Sequence, residues 1–145
     1  MKLPAHSVLK KVVEEREVSL GDLLPLLPKK FNDYRDLFPI AFLCSSGLIR
    51  HGWTLGCEYI NDEYLLASML YSAATGEKKV NSYNNPRGEV ALNSTTFTAT
   101  AKAELYFAEL RSKRIERIIT MSISIFIGVC SATLAFLINT SLTTK

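Results

Sequence analysis

A long apolar run without a charged residue occupies positions 118–138, near the end of the chain. A bilayer core about 30 Å thick needs about 20 such residues when they form a helix. A helix buried in a soluble domain rarely stays apolar on every face over this length. The run therefore predicts a transmembrane helix, and the alternative is a helix that the domain or a partner buries.

Before this run, apolar positions recur at helical spacing in four stretches. The predicted helices cover residue 4 or 7 to residue 18, residues 20–24, a segment from Asn32 or Asp33 to just before Gly47, and residues 61–74. Ser19 and Asp22 give the second helix a capping-box-like start. Pro39 predicts either a kink or a later start in the third helix. The fourth helix has a predicted buried stripe of Leu65, Leu66, Met69, Leu70 and Ala73.

A β-hairpin and one more helix follow. Residues 78–83 and 89–97 are predicted to be two strands around a turn-rich loop at 84–88, and Thr98 or Thr100 caps the last helix. One helix of roughly 38 residues, about 57 Å long, then joins the domain to the anchor; the alternative is a short linker at 111–113. The predicted fold class is mainly α (α+β), a small helical domain with one hairpin and then a long C-terminal helix that spans the membrane.

Charge is distributed unevenly, although the net charge is only +3. Residues 1–110 hold 12 Lys+Arg and 13 Asp+Glu, which gives them a net charge of −1. A basic cluster stands directly before the apolar run: Arg111, Lys113, Arg114 and Arg117. The positive-inside rule then predicts that the N-terminus is cytoplasmic and the C-terminus outside. The four cations are the predicted contacts with anionic headgroups at the membrane surface.

The predicted organisation has four parts: a cytoplasmic domain at 1–110, a basic juxtamembrane segment at 111–117, a transmembrane helix at 118–138 and a short external tail at 139–145. The N-terminus lacks the apolar region of a signal peptide. The three cysteines form no paired framework and suit a reducing compartment. This is the layout of a tail-anchored protein.

Three small helices, a hairpin and a closing helix follow the order of a winged-helix domain. The stretch Gly47-Leu-Ile-Arg resembles the end of that family's recognition helix, and Phe97-Thr-Ala-Thr-Ala-Lys-Ala-Glu-Leu-Tyr-Phe is similar to its pattern after the wing. Ala101 stands where the family usually has Gly, and the helix at 61–74 is an addition. The resemblance covers roughly residues 5–110 and implies a winged-helix-like α+β domain; the alternative is an unclassified α+β domain.

The resemblance implies DNA binding, with the third helix in the major groove. A protein that reads DNA typically neutralises about 6–10 phosphates with Lys and Arg. The predicted recognition helix offers only Arg35 and Arg50, with Asp33 and Asp36 beside them. The predicted wing sets Lys78, Lys79 and Arg87 against Glu77 and Glu89. The charges therefore argue against nucleic acid as a partner.

Residues with catalytic or metal-binding chemistry are few. His6 and His51 have no partner at a metal-ligand spacing. His51 is interpreted as a surface histidine rather than as the base of a pair with Cys57. Gly47, Gly52 and Gly56 are too scattered to form a phosphate loop. The sequence therefore predicts no metal site, no cofactor and no enzymatic activity.

Aromatic residues and the small residues of the apolar run suggest recognition instead. Tyr and Trp are frequent at interfaces, although packing within a domain is their commoner fate. The candidate partner-binding residues are Trp53, Tyr64, Tyr71, Tyr83 and Arg87. Small residues let membrane helices approach closely, and the candidate helix–helix contacts are Ser124, Gly128, Ser131, Ala132 and Ala135.

Three functional hypotheses follow from these patterns. The first is a non-enzymatic, single-pass, tail-anchored membrane protein whose cytoplasmic domain mediates protein–protein recognition or self-assembly. Its partners are the lipid bilayer and either another protein or further copies of itself. The second is a membrane-tethered winged-helix regulator that binds DNA. The third is an oligomerising effector that permeabilises the membrane, such as a toxin or a defence protein.

Overall fold

A computed structural model describes residues 4–52, 54–55, 58–59, 62–84 and 95–143 of the chain. The chain forms two compact units, Met1–Leu105 and Tyr106–Lys145. The described residues are mainly α-helical, with a small antiparallel sheet and one long helix that comes last in the sequence. The predicted mainly α (α+β) class is therefore confirmed.

The first helix, α1, covers Pro4–Glu15 and buries one apolar stripe against the domain. Its end was predicted at Val18, and this is wrong because Arg16 adopts a left-handed φ of 69° and stops the helix. The next residues extend into strand β1, Glu17–Ser19. The buried residues of α1 are Val8, Leu9 and Val12.

A single helical turn, α2, covers Leu20–Leu23 behind its predicted cap. The Ser19 hydroxyl oxygen accepts a hydrogen bond from the Asp22 backbone N–H at 3.2 Å. The same hydroxyl donates to the Asp22 carboxylate at 2.6 Å. These two bonds confirm the capping-box-like start. A 3₁₀ turn at Leu24–Leu26, which contains Pro25, ends the segment.

The third helix begins later than its cap. Asp33 caps a 3₁₀ turn at Tyr34–Leu37, and the α-helix that follows, α3, covers Phe38–Ser45 with Pro39 in its first turn. Proline has no N–H, so it suits a first-turn position whose N–H would have no helical acceptor. Of the two effects predicted for Pro39, the structure shows the later start.

Gly47 ends α3 as the sequence predicts, with a left-handed φ of 71°. Its N–H donates to the Cys44 carbonyl at 2.9 Å, and the Leu48 N–H donates to the Leu43 carbonyl at 3.0 Å. This pair of bonds reverses the chain at the helix end. It leads directly into strand β2, Ile49–His51.

The fourth helix, α4, covers Glu63–Thr75 and packs against α3. The Asp62 carboxylate accepts a hydrogen bond from the Leu65 N–H at 2.6 Å, and Gly76 follows the helix with φ 75°. The predicted buried stripe is partly right. Three of its residues are buried, namely Leu66, Leu70 and Ala73. Leu65 and Met69 are only half-buried, whereas Ala67, Ser68 and Ser72 are buried in addition.

Residues Thr96–Ala99 form strand β7, which lies between β1 and β2 in a three-stranded antiparallel sheet. Phe97 lies opposite Val18 on one side and His51 on the other. All three side chains are buried, and α1 packs against β7. The largest fully buried side chains come from α1, α2, α3, α4 and this sheet: Phe97, Leu9, Leu20, Leu23, Ile40, Ile49, Leu66 and Leu70.

Two short hairpins are also present: β3 (Thr54–Leu55) with β4 (Glu58–Tyr59), and β5 (Lys79–Val80) with β6 (Tyr83–Asn84). The predicted single strand at 78–83 is wrong, because the chain reverses at Asn81, which has φ 53°. The end of the predicted second strand, β7, pairs with β1 and β2 instead. Positions 85–94 of that predicted hairpin lie outside the described residues.

The last helix, α5, covers Ala101–Thr143, about 65 Å at about 1.5 Å per residue. It begins directly after Thr100, whose carbonyl oxygen accepts a hydrogen bond from the Ala103 N–H at 3.0 Å. The Thr100 hydroxyl donates to the Gly47 carbonyl at 2.8 Å. Residues 111–113 are helical, so the structure does not have the linker that was the alternative there.

Candidate membrane helix and candidate partner surface

The apolar part of α5 is a candidate membrane span. The segment of α5 whose side chains the structure describes, Ala101–Thr133, contains a window of 18 residues with a mean hydropathy of 1.6, and none of that window is buried. A core helix of a soluble domain would pass the same test of composition but would be mostly buried. Large side chains such as Met121 and Phe126 are 66% and 70% exposed. A helix of this kind is compatible with surrounding lipid.

The four predicted membrane-surface residues are exposed on α5: Arg111, Lys113, Arg114 and Arg117. Lys113 donates to Glu109 one helical turn earlier, with an N···O distance of 2.7 Å. This hydrogen bond lowers the pKa of Glu109 and raises the pKa of Lys113. The arginines at 111, 114 and 117 recur every three residues, so they occupy neighbouring positions on the helix surface.

The predicted helix–helix contacts include two serines whose hydroxyl protons are already bonded within α5. Ser124 donates to the Thr120 carbonyl at 2.9 Å, and Ser131 donates to the Ile127 carbonyl at 2.8 Å. A Cβ added at Gly128 would meet no atom within 4 Å. The serine oxygens can therefore accept a hydrogen bond from another helix, but the hydroxyl protons are already bonded within α5. The absence of a side chain at Gly128 permits a close approach of that helix. Ala132 is exposed, and the side chain of Ala135 lies outside the described ones.

Two of the predicted partner-binding tyrosines meet the same short segment before α3. Tyr64 is 43% exposed, and its ring packs edge-on against Tyr34 at 5.4 Å between centroids. The Tyr71 hydroxyl donates to the Asn32 carbonyl at 3.3 Å. Burial raises the pKa of both tyrosines. Tyr83 is half-buried on β6, while Trp53 and Arg87 lie outside the described residues.

An exposed apolar groove lies beside that segment, and sequence reasoning missed it. The aromatic groove, as we call it, has a volume of about 490 Å³ and is lined chiefly by Pro4, Pro28, Phe31, Phe38, Pro39 and Phe42. Phe31 is 45% exposed and Phe42 is 52% exposed. Residues 38–44 are all apolar, which is typical of a buried segment, so their composition does not show that Phe42 is exposed. The available signal was Phe31, an aromatic residue within a loop of charged and polar residues.

The loop that presents Phe31 is fixed by one carboxylate. Asp36 accepts hydrogen bonds from the backbone N–H groups of Lys30, Phe31 and Asn32, at 3.1, 3.0 and 2.8 Å. Cations also contact the Phe31 ring: the Lys30 ammonium lies 5.1 Å from its centroid and the Arg35 guanidinium 4.5 Å. Phe31 is therefore held outward by a defined hydrogen-bonded loop.

Arg35 is also paired with a carboxylate. Its Nε donates to Asp33 at 2.9 Å and its Nη2 donates to Asp33 at 2.6 Å. The hydrogen bond from Arg35 lowers the pKa of Asp33. α3 itself contains no Lys or Arg, and it packs against both α1 and α4. The helix that the resemblance assigns to the DNA major groove is thus an uncharged helix within the domain.

The remaining candidates for chemistry lie inside the domain. His51 is only 6% exposed, so its interpretation as a surface histidine is wrong. The alternation of β2 explains this: Ile49 and His51 face inward and Arg50 faces solvent. Burial raises the pKa of the Cys44 thiol to about 12, which disfavours the thiolate. Among the described residues, no group of three His, Cys, Asp or Glu side chains is placed to hold a metal ion.

Comparisons with protein-family models, with curated proteins and with solved structures find no match to this chain.

Proposed function

We propose that this protein is a non-enzymatic, single-pass membrane protein whose N-terminal domain recognises a protein partner or a second copy of itself. The aromatic groove carries this proposal. Phe31 and Phe42 are exposed and line one apolar surface, and contiguous exposed apolar surfaces mark interaction sites. The α5 helix, which is apolar and unburied over its candidate span, supplies the attachment to the membrane.

The basic cluster supports an orientation with the N-terminal domain in the cytoplasm. Arg111, Lys113, Arg114 and Arg117 precede the apolar run, and Lys and Arg are enriched on the cytoplasmic side of membrane helices. The same cations suit contact with anionic headgroups. The domain at that surface would then meet its partner in the plane of the membrane.

The winged-helix resemblance remains a prediction about the fold of the domain, and the element order supports it. Strand β2 follows α3, and strand β7 precedes α5. These two strands are neighbours in one sheet, as the two strands of a wing are. DNA binding is not favoured, because α3 contains no Lys or Arg and specific DNA readers depend on such contacts. A fold of this kind serves protein recognition equally well.

Site-specific photo-cross-linking in cells tests the proposal. The full chain carries p-benzoylphenylalanine in place of Phe42, or in place of Lys78 as an exposed control that does not line the groove. We expect a protein adduct from position 42 and none from position 78. The change Phe31→Asp in the same chain should remove the adduct, because it places a charge in the groove. Equal labelling from both positions, or none from position 42, contradicts the proposal.

A further inference from the structure

The charges that border the aromatic groove differ in how far they are already paired. Asp36 accepts hydrogen bonds from three consecutive backbone N–H groups, and Asp33 accepts from both Nε and Nη2 of Arg35. These two carboxylates are therefore occupied within the chain.

Lys30 lines the groove, and Lys29 stands directly before it in the chain. Lys29 and Lys30 are exposed, and within the described part of the chain neither ammonium forms an ion pair with a carboxylate. The ammonium of Lys30 contacts only the face of the Phe31 ring in the described contacts. Three cations (Lys29, Lys30 and Arg35) and two anions (Asp33 and Asp36) surround the groove, so the net charge there is +1. A carboxylate of a partner would find donors there without displacing an existing pair.

The shape and lining of the groove suit a peptide segment. The groove is a shallow depression of about 490 Å³ between several side chains, and protruding side chains of a peptide can fill such a depression. Its prolines add apolar surface without an N–H that would need solvation. Phe38, Pro39 and Phe42 belong to one helix, so the floor is preformed. A segment with apolar side chains on one face matches this floor.

We infer that the aromatic groove binds an amphipathic segment of a partner protein in which apolar anchors are flanked by Asp or Glu. The inference rests on the proposed recognition function and names the chemistry of its partner. The apolar anchors pack against Phe31 and Phe42, and the acidic flanks meet Lys29 and Lys30. The charge of the flanking residues decides which apolar segments bind, because Lys29 and Lys30 repel a segment with basic flanks.

Two synthetic peptides test the chemistry. Both peptides are helices of 18 residues, about five turns, and both have the same apolar face of Leu and Phe. The polar face consists of Glu residues in one peptide and of Lys residues in the other. Fluorescence anisotropy measures their binding to the full chain in nanodiscs of zwitterionic lipid, with empty nanodiscs subtracted. We expect the Glu peptide to bind at least tenfold more tightly than the Lys peptide.

Variants then locate the binding. The pair Lys29→Glu and Lys30→Glu should abolish or reverse the preference for the Glu peptide. The matched pair Lys78→Glu and Lys79→Glu, on exposed lysines outside the groove, should leave it unchanged. Phe42→Ser should remove binding, whereas Leu26→Ser, at an exposed leucine outside the groove, should not. The Phe42 variant also excludes attraction of the peptide by the arginines of α5.

Several results overturn the inference. These are equal binding of the two peptides, no binding of either, or a preference that survives the charge reversal at Lys29 and Lys30. The cross-link from position 42 separates this failure from failure of the proposed function. An adduct with a second copy overturns the acidic segment but leaves recognition standing. An adduct with lipid, or no adduct, overturns both.

Discussion

Asp36 is the residue whose removal most directly tests the architecture of the groove. In the variant Asp36→Ala, the N–H groups of Lys30, Phe31 and Asn32 lose their common acceptor. A hydrogen bond contributes about 0.5–1.5 kcal/mol net. Because Asp36 is only half-buried and water can replace it, we take the lower part of that range, about 0.5–1 kcal/mol for each of three bonds. The local loss is then about 1.5–3 kcal/mol.

Hydrogen–deuterium exchange of the full chain in nanodiscs measures this loss. At about 1.4 kcal/mol per tenfold change, the amides of Lys30, Phe31 and Asn32 should exchange about 10- to 150-fold faster in Asp36→Ala. In the control Asp36→Asn, one carboxylate oxygen becomes an NH₂ group that cannot accept, so only part of the protection should be lost. If the three amides exchange at the same rate in Asp36→Ala and in the wild type, the carboxylate does not hold the loop, and the explanation for the position of Phe31 fails.

Three further predictions concern the domain as a whole. In denaturant titrations followed by Trp53 fluorescence, Phe97→Ala, at a fully buried residue, should cost about 3–5 kcal/mol, and Phe42→Ala at the surface less than about 1 kcal/mol. Gly47→Ala should cost about 1–2 kcal/mol more than Gly52→Ala, because only Gly47 has a left-handed φ and neither site lacks space; equal costs contradict this. Cys44 should resist iodoacetamide at pH 8 unless the domain unfolds, and mass spectrometry of its peptide checks this. Its folded pKa of about 12 is above the ordinary 9.0, so its contribution to stability is complete below pH 9 and falls as pH rises towards 12, by at most about 1.4 kcal/mol per pH unit.

Local chemistry made the helix boundaries predictable where a cap or a left-handed glycine sets them. Ser19, Asp62 and Gly76 each act at the helix end that their residue type favours. The end of α1 could not be predicted in this way. Arg16 adopts a positive φ there, which is uncommon for a residue other than glycine and leaves no mark in the sequence.

Pairing of the strands depended on contacts between distant parts of the chain. Residues 78–83 stand before a turn-rich loop, which predicts one strand of a hairpin, yet Asn81 turns the chain inside that segment. Asn is one of the few residues that tolerate this conformation. The partners of β7 lie before α2 and after α3, and no local pattern identifies them. The groove was missed for a related reason: the exposure of Phe42 is decided by what packs around α3.

The position of β7 in the sheet has a consequence for the order of folding during synthesis. β7 is the central strand, yet it is synthesised after both of its neighbours, and it pairs position 97 with position 18. The domain therefore cannot close until residue 99 is available. At about 5–20 residues per second, the ribosome needs about 2–9 s more to make the 43 residues of α5. Small domains with long-range strand pairing fold within milliseconds to seconds. β7 leaves the ribosome only after part of α5 has been made, so the sheet closes while the apolar helix is being synthesised or after it.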